Sequence, residues 1–301
     1  MKTIDVAPLQ GRYVLAVSGG VDSVVLLDIL AATQGLNITV AHYDHGIRHD
    51  SAKDRRLVQK LARSYGLPCV YQEGNLGSGA SEDTARRARY QFLRVTQIAA
   101  NAIGIITAHH QDDLLETAIL NLLRGTGRHG LGALKSTADL ARPLLDVPKS
   151  TIVTYAQTKH LEWREDSTNQ DETHARNYIR AKVMPRFDEN ARAQLVQIVT
   201  ENRQINYELD AGLMSLLDTH SQSERIDHLE RGWFSAQSWV LSREVLAVWL
   251  RRNDLAGFDR KTIERLTVQF KTLSPGRTVP IYDGVDVIIG KQFLALNRSE
   301  R

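Results

Sequence analysis

Short runs of apolar, β-prone residues alternate with segments of helical periodicity along the first half of the chain. Each run is apolar without polar alternation, which is typical of strands that are covered on both faces. The order strand, helix, strand, helix predicts an α/β fold with a doubly wound, mostly parallel sheet. The predicted strands are 13–17, 38–42, 69–72 and 103–108, and the predicted helices are 22–32, 51–65, 81–100 and 112–124.

This alternation stops after residue 124. The glycine-rich stretch GTGRHGLGAL and then ARPLLDVPKS, with two prolines, are interpreted as a long functional loop leading to a connector. Helical patterns dominate afterwards, at 151–160, 177–183, 191–217, 242–252 and 259–273. The final stretch, RTVPIYDGVDVIIGKQFLAL, predicts short antiparallel strands with a turn at Asp283–Gly284. The predicted division is a catalytic α/β domain over 1–148, a connector over 149–187, and a second, mainly helical domain over 188–301.

Composition narrows the class of protein. The chain has 301 residues, enough for two domains, and its 42% hydrophobic and 24% charged residues are ordinary globular values. A net charge of +3 is compatible with a nucleic-acid partner but does not identify one. The single cysteine, Cys69, excludes an intramolecular disulfide and a multi-cysteine zinc or iron–sulfur site within one chain. No signal-peptide or membrane-spanning run is found, so a cytoplasmic location without membrane attachment is expected.

A small polar loop, Ser18-Gly19-Gly20-Val21-Asp22-Ser23, joins the first predicted strand to the first predicted helix. Such loops bind phosphate because their backbone N–H groups and the helix N-terminus both favour an anion. The loop lacks the lysine of GxxxxGK[ST] and is too short for GxGxxG, so neither the usual ATPase loop nor a dinucleotide site is indicated. Its carboxylate, Asp22, suits a Mg²⁺ ion that bridges the protein and a pyrophosphate. The structural alternative is a pair of serine caps, a tight glycine turn and an acid that complements the helix dipole.

Polar residues also follow the second and fourth predicted strands. After the second strand, AHYDHGIRHDS supplies His42, Asp44, His45 and Arg48, and AHHQDDLLET follows the fourth. Ligands of an open parallel sheet collect at the carboxyl ends of its strands. The three polar clusters are therefore expected to line one crevice.

The helix after the fourth strand carries two acids on one face. Asp113 and Glu116 are three residues apart. The stripe predicted to be buried consists of Leu115, Ile119 and Leu122. Two carboxylates facing the crevice would suit a cationic substrate such as the ammonium group of an amino acid; alternatively, they offset the helix dipole. His109 and Asp113 have the spacing of a metal pair, but no third ligand is obvious, so zinc is not predicted.

The loop SGGVDS resembles the SGGxDS signature of the PP-loop ATP pyrophosphatases. Four further stretches are similar to the motifs of one family in that superfamily, the tRNA(Ile)-lysidine synthetases: HYDHGIR, HHQDDLLET with a trailing LLRG, RPLL, and WREDSTNQDETHARNYIR. The five motifs occur in order, and the remainder of the chain agrees only in layout, as a short form with one helical domain. Leu114 and Leu115 replace the usual Gln-Ala before Glu116, whereas the acids themselves are kept.

The resemblance implies an activity and its substrates. Residues 1–148 would bind ATP and carry out catalysis, and residues 188–301 would bind tRNA. The implied reaction joins free L-lysine to C2 of the wobble cytidine of a tRNA(Ile) with a CAU anticodon, through an adenylated cytidine, and releases AMP and pyrophosphate. ATP would lie on the Ser18–Ser23 loop with Mg²⁺ at Asp22, and the family suggests a homodimer.

The resemblance also assigns roles to individual residues. The implied catalytic residues are Asp22, His109, Asp113 and Glu116, and the last two are also expected to hold the α-amino group of lysine. One of these carboxylates or His109 would accept a proton from the ε-amine. The nucleotide site would include His45, Arg48 and Arg86, although a solvated Glu82–Arg86 pair is an equal alternative. The tRNA phosphates would meet Arg176 and Arg180, close to Lys182.

Three rival functions remain open at this stage. A tRNA thiolase of the same superfamily generally moves sulfur through paired cysteines or an iron–sulfur cluster, and this chain has one cysteine. A small-molecule amidating ligase would explain SGGVDS but not HHQDDLLET. A nucleotide-sensing or RNA-binding module would need neither Asp22 nor the Asp113–Glu116 face.

Overall fold

The computed structural model describes residues 4–6, 8–46, 51–74, 77, 81–164, 175–222, 225–255, 257–282 and 284–298. By packing, the chain divides into two compact units. The first comprises Met1–Leu120 and Ala133–Val196, and the second comprises Asn121–Gly132 and Gln197–Arg301. The described part of the predicted connector, 149–187, therefore packs within the first unit. The boundaries at 148 and 187, which separate the predicted catalytic domain, connector and helical domain, stay predictions.

The first unit is built on a five-stranded parallel sheet. Its strands are β1 (Gly11–Ala16), β2 (Leu36–Asp44), β3 (Cys69–Glu73), β4 (Gly104–Ile106) and β5 (Leu140–Ala141). They lie in the order β3-β2-β1-β4-β5, and each neighbouring pair is parallel. The predicted doubly wound α/β class is confirmed. Strand β5 was not predicted, because two residues are too few to give a periodic signal.

Helices cover both faces of this sheet. They are α1 (Val21–Ala31), α2 (Ser51–Ser64), α3 (Glu82–Ala99) and α4 (Gln111–Leu123), each within one residue of its predicted bounds. The short helix α5 (Arg128–Leu131) belongs to the second unit, and α6 (Lys149–Thr158) and α7 (Ala175–Tyr178) belong to the first. On β1, Leu15 packs with residues of α1, α2 and α6, whereas Val14 packs with Phe92 and Leu93 of α3. Both strand residues are fully buried, which explains why the strand pattern shows no alternation.

The predicted buried stripe of α4 is wrong at its C-terminal end. Leu122 is 66% exposed, while Leu114, Leu115 and Ala118 are buried. Below α4, a π-type turn over Ile179–Val183 and a 3₁₀ turn over Met184–Arg186 continue from α7 and pack Ile179 and Met184 against Leu115.

The second unit combines helices with an antiparallel sheet. Its helices are α8 (Glu189–His220, which begins in the first unit), α9 (Arg231–Ala236), α10 (Trp239–Arg252) and α11 (Arg260–Thr272). Its strands are β6 (Ser221–Gln222), β7 (Arg225–Glu230), β8 (Arg277–Tyr282), β9 (Val285–Ile289) and β10 (Phe293–Arg298), in the order β6-β7-β10-β9-β8. The predicted C-terminal strands are present, and Gly284 of the predicted turn has φ +79°, whereas position 283 lies outside the described residues. Among the described residues, no helix combines the length and apolar character needed to cross a bilayer.

Candidate active site

The loop between β1 and α1 is organised around one serine hydroxyl. The Oγ atom of Ser23 accepts the N–H groups of Ser18 and Gly19, both at 3.2 Å, and donates to the carbonyl of Gly20 at 2.9 Å. The first helical hydrogen bond runs from Val24 N to Gly20 O, at 3.1 Å. The preceding amides of α1 have no acceptor within the helix. They form the kind of N-terminus at which phosphate binds.

Gly19 has φ +94°, in the region that only glycine adopts without strain, whereas Gly20 has φ −74° and room for a Cβ. We therefore expect Gly19→Ala to cost at least about 1 kcal/mol of stability and to weaken nucleotide binding, because the loop must shift. The matched Gly20→Ala variant should retain both. Equilibrium unfolding and nucleotide titration of the two variants check this, and equal behaviour would contradict the argument.

A cavity of about 300 Å³ lies at the carboxyl ends of β1, β2 and β4. Strand order reverses between β1 and β4, and such reversals open a crevice in parallel sheets. The expected convergence of the three polar clusters is therefore present. The polar residues that line the cavity are Ser18, Asp22, Ser23, His42, Asp44, His45, Ser51, Asp54, Arg89, Thr107 and His109.

Two histidines of this cavity are held neutral. The Nδ1 atom of His42 hydrogen-bonds the carbonyl of Val17 at 2.8 Å, and burial lowers the pKa of His42. His109 shares a 2.9 Å hydrogen bond between Nδ1 and Thr107 Oγ1, and burial lowers the pKa of His109 to about 3. A base this weak is poorly matched to proton transfer near neutral pH. Burial therefore disfavours His109 as a proton acceptor near neutral pH.

The same burial predicts an acid sensitivity. His109 takes up a proton near pH 6.5 in the unfolded chain but only near pH 3 in the folded one, so stability is lost as pH falls through this window. Between about pH 6 and about pH 4, we expect His109→Asn to reduce the slope of the free energy of unfolding against pH by up to about 1.4 kcal/mol per pH unit. Urea unfolding at several pH values measures the slope. The exposed His160, changed to Asn, should leave the slope unaltered.

Asp22 lies at the cavity edge and is engaged by a lysine that the sequence analysis missed. The Nζ atom of Lys149 is 2.5 Å from Oδ1 and 2.7 Å from Oδ2 of Asp22. Lys149 is the first residue of α6, and its N–H donates to Asp112 Oδ1 at 3.2 Å. In the sequence, Lys149 is distinguished only by its position directly after Pro148, at the start of a helix. That position does not reveal that its partner, Asp22, is 127 residues away.

A magnesium ion fits this arrangement by the chemistry of its donors. Mg²⁺ binds through one or two carboxylates and keeps its remaining positions for water and phosphate oxygens. Asp22, beside the Ser18–Ser23 loop, would supply one such carboxylate. Both of its oxygens contact the ammonium group of Lys149 in this structure, so Mg²⁺ would have to replace at least one of those contacts. Within the described residues, no three or more His, Cys, Asp or Glu side chains are grouped so that they could hold a metal ion.

The two acids of α4 meet the two arginines predicted to contact tRNA. Glu116, only 1% exposed, accepts Arg180 Nε at 2.6 Å and Arg176 Nε at 3.0 Å on separate oxygens. The Oδ1 atom of Asp113 lies farther away, 3.4 Å from Arg176 NH2 and 3.6 Å from Arg180 NH2. Neither acid is among the residues that line the cavity. The four residues, predicted as two separate groups, form one partly buried ionic cluster around the buried Glu116.

His110 connects this cluster to Asp22. Its Nε2 atom is 3.4 Å from Asp113 Oδ2 and 3.7 Å from Asp22 Oδ2. Burial acts to raise the pKa of Asp113, but His110, His109 and Arg176 outweigh it, and the pKa of Asp113 is lowered. His110, which the sequence analysis did not single out, thus lies between the two acids.

The remaining predicted nucleotide residues have different positions. His45 lines the cavity, with its ring edge-on to Tyr43 at 4.9 Å between centroids. Arg89 lines the cavity, whereas Arg86 lies over the Tyr90 ring at 4.9 Å. Arg48 lies outside the described residues.

Cys69 has no sign of an activated thiol. It is half-buried on β3, and burial raises the pKa of its thiol. A raised pKa disfavours the nucleophilic thiolate.

The parallel sheet, the loop and the cavity together define a class of protein. The family model of the PP-loop domain matches residues 3–187, so the chain is a PP-loop protein. Among curated relatives, the tRNA(Ile)-lysidine synthase of Solibacter usitatus is 31% identical over 300 residues, covering 95% of this chain and 67% of the relative. That of Thermotoga sp. is 39% identical over 191 residues, covering 60% of this chain and 46% of the relative. The chain belongs to the tRNA(Ile)-lysidine synthase family.

Two further facts delimit these similarities. The chain spans 67% and 46% of the lengths of these two relatives, and 61% of a relative from Legionella pneumophila that is 30% identical. Among solved structures, the U34-tRNA thiolase NcsA from Methanococcus maripaludis superposes with a TM-score of 0.54 at 15% identity, covering 64% of this chain and 72% of the thiolase. At that identity the similarity shows the fold alone.

Proposed function

We propose that this protein uses ATP to join free lysine to C2 of the wobble cytidine of a tRNA(Ile) with a CAU anticodon, in the cytoplasm. One observation carries the proposal: His110 lies between the carboxylates of Asp22 and Asp113, beside the SGGVDS loop. The chain in which this arrangement occurs belongs to the tRNA(Ile)-lysidine synthase family. A homodimer is part of the proposal, on the family suggestion alone.

The proposed reaction has two steps. The cytidine O2 attacks the α-phosphorus of ATP, an O–P bond forms, and the bond to the β-phosphate oxygen breaks, so pyrophosphate leaves. The lysine ε-amine then attacks C2, the C2–O bond breaks with its electron pair, and AMP leaves with the former O2 atom. The amine gives up its proton to a base.

The loop residues act on the departing pyrophosphate. The free amides at the start of α1 stabilise the charge that develops on the phosphate oxygens. Asp22 would hold Mg²⁺, which supplies further charge neutralisation there. Lys149 balances the charge of Asp22 and keeps its carboxylate at the cavity edge.

The two acids of α4 have unequal roles in the proposal. Both oxygens of Glu116 already accept arginine N–H groups, so Glu116 positions Arg176 and Arg180. Asp113, with longer distances to the arginines and a lowered pKa, retains a charged carboxylate for the ammonium group of lysine.

The role of Asp113 can be tested kinetically. We expect Asp113→Asn to raise the KM for lysine roughly tenfold to a hundredfold, because a charged hydrogen bond to the ammonium group is lost. The matched Asp146→Asn variant, at an exposed position, should leave the KM unchanged. An unaltered lysine KM in Asp113→Asn would remove the residue from the lysine site.

The function itself is tested by product analysis. Multiple-turnover pyrophosphate release from ATP should require both lysine and the CAU-anticodon tRNA, and one cytidine of the treated tRNA should gain the mass of lysine less water. Without lysine, at most one pyrophosphate per tRNA should be released, because only the first step can occur. Accumulation of ADP, or continued pyrophosphate release without lysine beyond one per tRNA, would contradict the proposal. The second outcome would favour a thiolase or a small-molecule amidating ligase.

A further inference from the structure

The second unit contains a cavity of about 590 Å³ that has no part in the proposed chemistry. Three segments form its walls: the glycine-rich stretch 124–130, residues 243–251 of α10, and residues 258–263 at the start of α11. Its volume is typical of small-molecule sites. The charged residues that line it are Arg124, Arg128, Arg243, Glu244, Arg251, Asp259, Arg260 and Lys261.

Three of the six cations are neutralised by nearby acids. Arg128 is 2.6 Å from Asp210 and 2.8 Å from Glu244. Arg243 and Arg260 share Glu264, at 3.0 Å and 2.7 Å. These contacts are structural, since they fasten the glycine-rich stretch to α8 and α10 and fasten α10 to α11.

The other three cations are not neutralised in this way. Arg251 donates to the Nε2 atom of His129 at 3.0 Å, and its nearest carboxylate oxygen, on Asp210, is 3.9 Å away. Arg124 and Lys261 are exposed and form no ion pair within the described part of the chain. Asp259 caps α11 by accepting Thr262 N at 2.8 Å, and Lys261 contributes, after that hydrogen bond, to the lowered pKa of the Asp259 carboxyl.

Burial is the largest influence on two titratable groups of the cavity. Burial, Arg251 and Arg128 lower the pKa of His129 to about 4, against the opposing effect of Asp210 and Glu244. Burial lowers the pKa of Arg251, where Asp210 and Glu244 oppose the change and Arg128 adds to it. His129 is therefore neutral, which agrees with its role as the acceptor of an Arg251 N–H group. The residues that line the cavity include six cations and two acids, which is an excess of positive charge.

The geometry points to this cavity as a phosphate-binding site in the second unit, in which Arg124, Arg251 and Lys261 contact one phosphate of a nucleotide. A terminal phosphate offers three non-bridging acceptor oxygens and an RNA phosphodiester offers two, each able to accept more than one N–H group from cations of the three segments. Phe258, Ala247 and Ile263 form an apolar wall against which a ribose or base can pack. This inference depends on the proposed function only where it names tRNA as the natural source of the phosphate.

The test uses the full chain without ATP or lysine, and a fluorescent CAU-anticodon tRNA transcript as the probe. Lys261→Gln and Arg124→Gln change exposed side chains, so folding should be intact, and Lys291→Gln is a matched control at an exposed lysine outside the cavity. Each cavity variant should lower affinity roughly five- to tenfold near 0.1 M salt and reduce the salt slope by about 1. The control should behave as the wild type.

A second arm identifies the source of the phosphate, by calorimetric titration with AMP. Two AMP sites per chain, reduced to one in Lys261→Gln, identify a free nucleotide. One AMP site in both proteins, with weakened RNA binding, identifies the RNA backbone. The proposal is overturned if both cavity variants match Lys291→Gln in RNA affinity, salt slope and AMP stoichiometry.

The failure of this site and the failure of the proposed function give different results. If the wild-type chain binds tRNA through Lys261 but forms no lysine adduct, the proposed function is overturned and the phosphate site stands. If the wild-type chain forms the adduct but Lys261→Gln and Arg124→Gln bind tRNA as Lys291→Gln does, the phosphate site is overturned and the proposed function stands.

Discussion

Replacing Asp22 by Asn should lower the rate of lysine- and tRNA-dependent pyrophosphate release by at least about a hundredfold. The substitution keeps the shape of the side chain but removes the negative charge that pairs with Lys149 and that would hold Mg²⁺. Pyrophosphate release under saturating substrates, with increasing Mg²⁺, measures the loss. Higher Mg²⁺ should restore little of the rate, because the asparagine amide is a weak ligand for this cation.

Asp28→Asn is the matched control for this prediction. Asp28 lies on the same helix and accepts the hydroxyl groups of Tyr65 and Tyr155, each at 2.7 Å. Its replacement should lower stability by weakening those hydrogen bonds, with little effect on the rate of the folded enzyme. If Asp22→Asn retained the wild-type rate, Asp22 would have no role in the metal or phosphate site.

Glu116→Gln should lower the free energy of unfolding by about 3 kcal/mol. The change leaves Arg176, 22% exposed, and Arg180, 39% exposed, without the carboxylate that both of them contact. A buried ion pair that loses one partner is strongly destabilised, and the partial exposure of Arg180 puts the expected loss at the lower end of that range. Chemical denaturation followed by far-ultraviolet circular dichroism measures it.

Two further variants separate charge from shape at this position. Glu116→Asp keeps the charge and should lose less stability than Glu116→Gln. Glu162→Gln removes an exposed acid that pairs with Lys60, and it should cost no more than about 1 kcal/mol. Comparable losses in Glu116→Gln and Glu162→Gln would show that the buried cluster contributes no more than a surface pair.

Local patterns predicted the first unit well because its elements are long and their periodicity is strong. Helix α1 follows directly from an apolar run that begins after a glycine turn, and its bounds differ from the prediction by one residue. Elements without such a signal were missed: β5 has two residues, and β6, β7 and α9 lie in a polar stretch. Leu122 was assigned to the buried stripe by spacing alone, yet it is exposed, since spacing does not say where the helix leaves the core.

The site was predicted in part, for a related reason. The SGGVDS loop, His42, Asp44 and His109 meet at one cavity because parallel strands must end at one edge of the sheet. The rotation of α3 determines which of its arginines reaches that cavity. In the structure Arg89 lines the cavity, whereas Arg86 lies over the Tyr90 ring.

The amino-acid sequence by itself determined the class of fold, the phosphate-binding loop and the edge of the sheet at which polar groups gather. These depend on short-range patterns of backbone conformation and burial. Only the tertiary structure decided that Lys149 contacts Asp22, that Glu116 is enclosed by Arg176 and Arg180, and that cations of three segments face one cavity in the second unit. Each of these contacts joins residues far apart in the chain, and their partners follow from how helices pack and not from any local repeat.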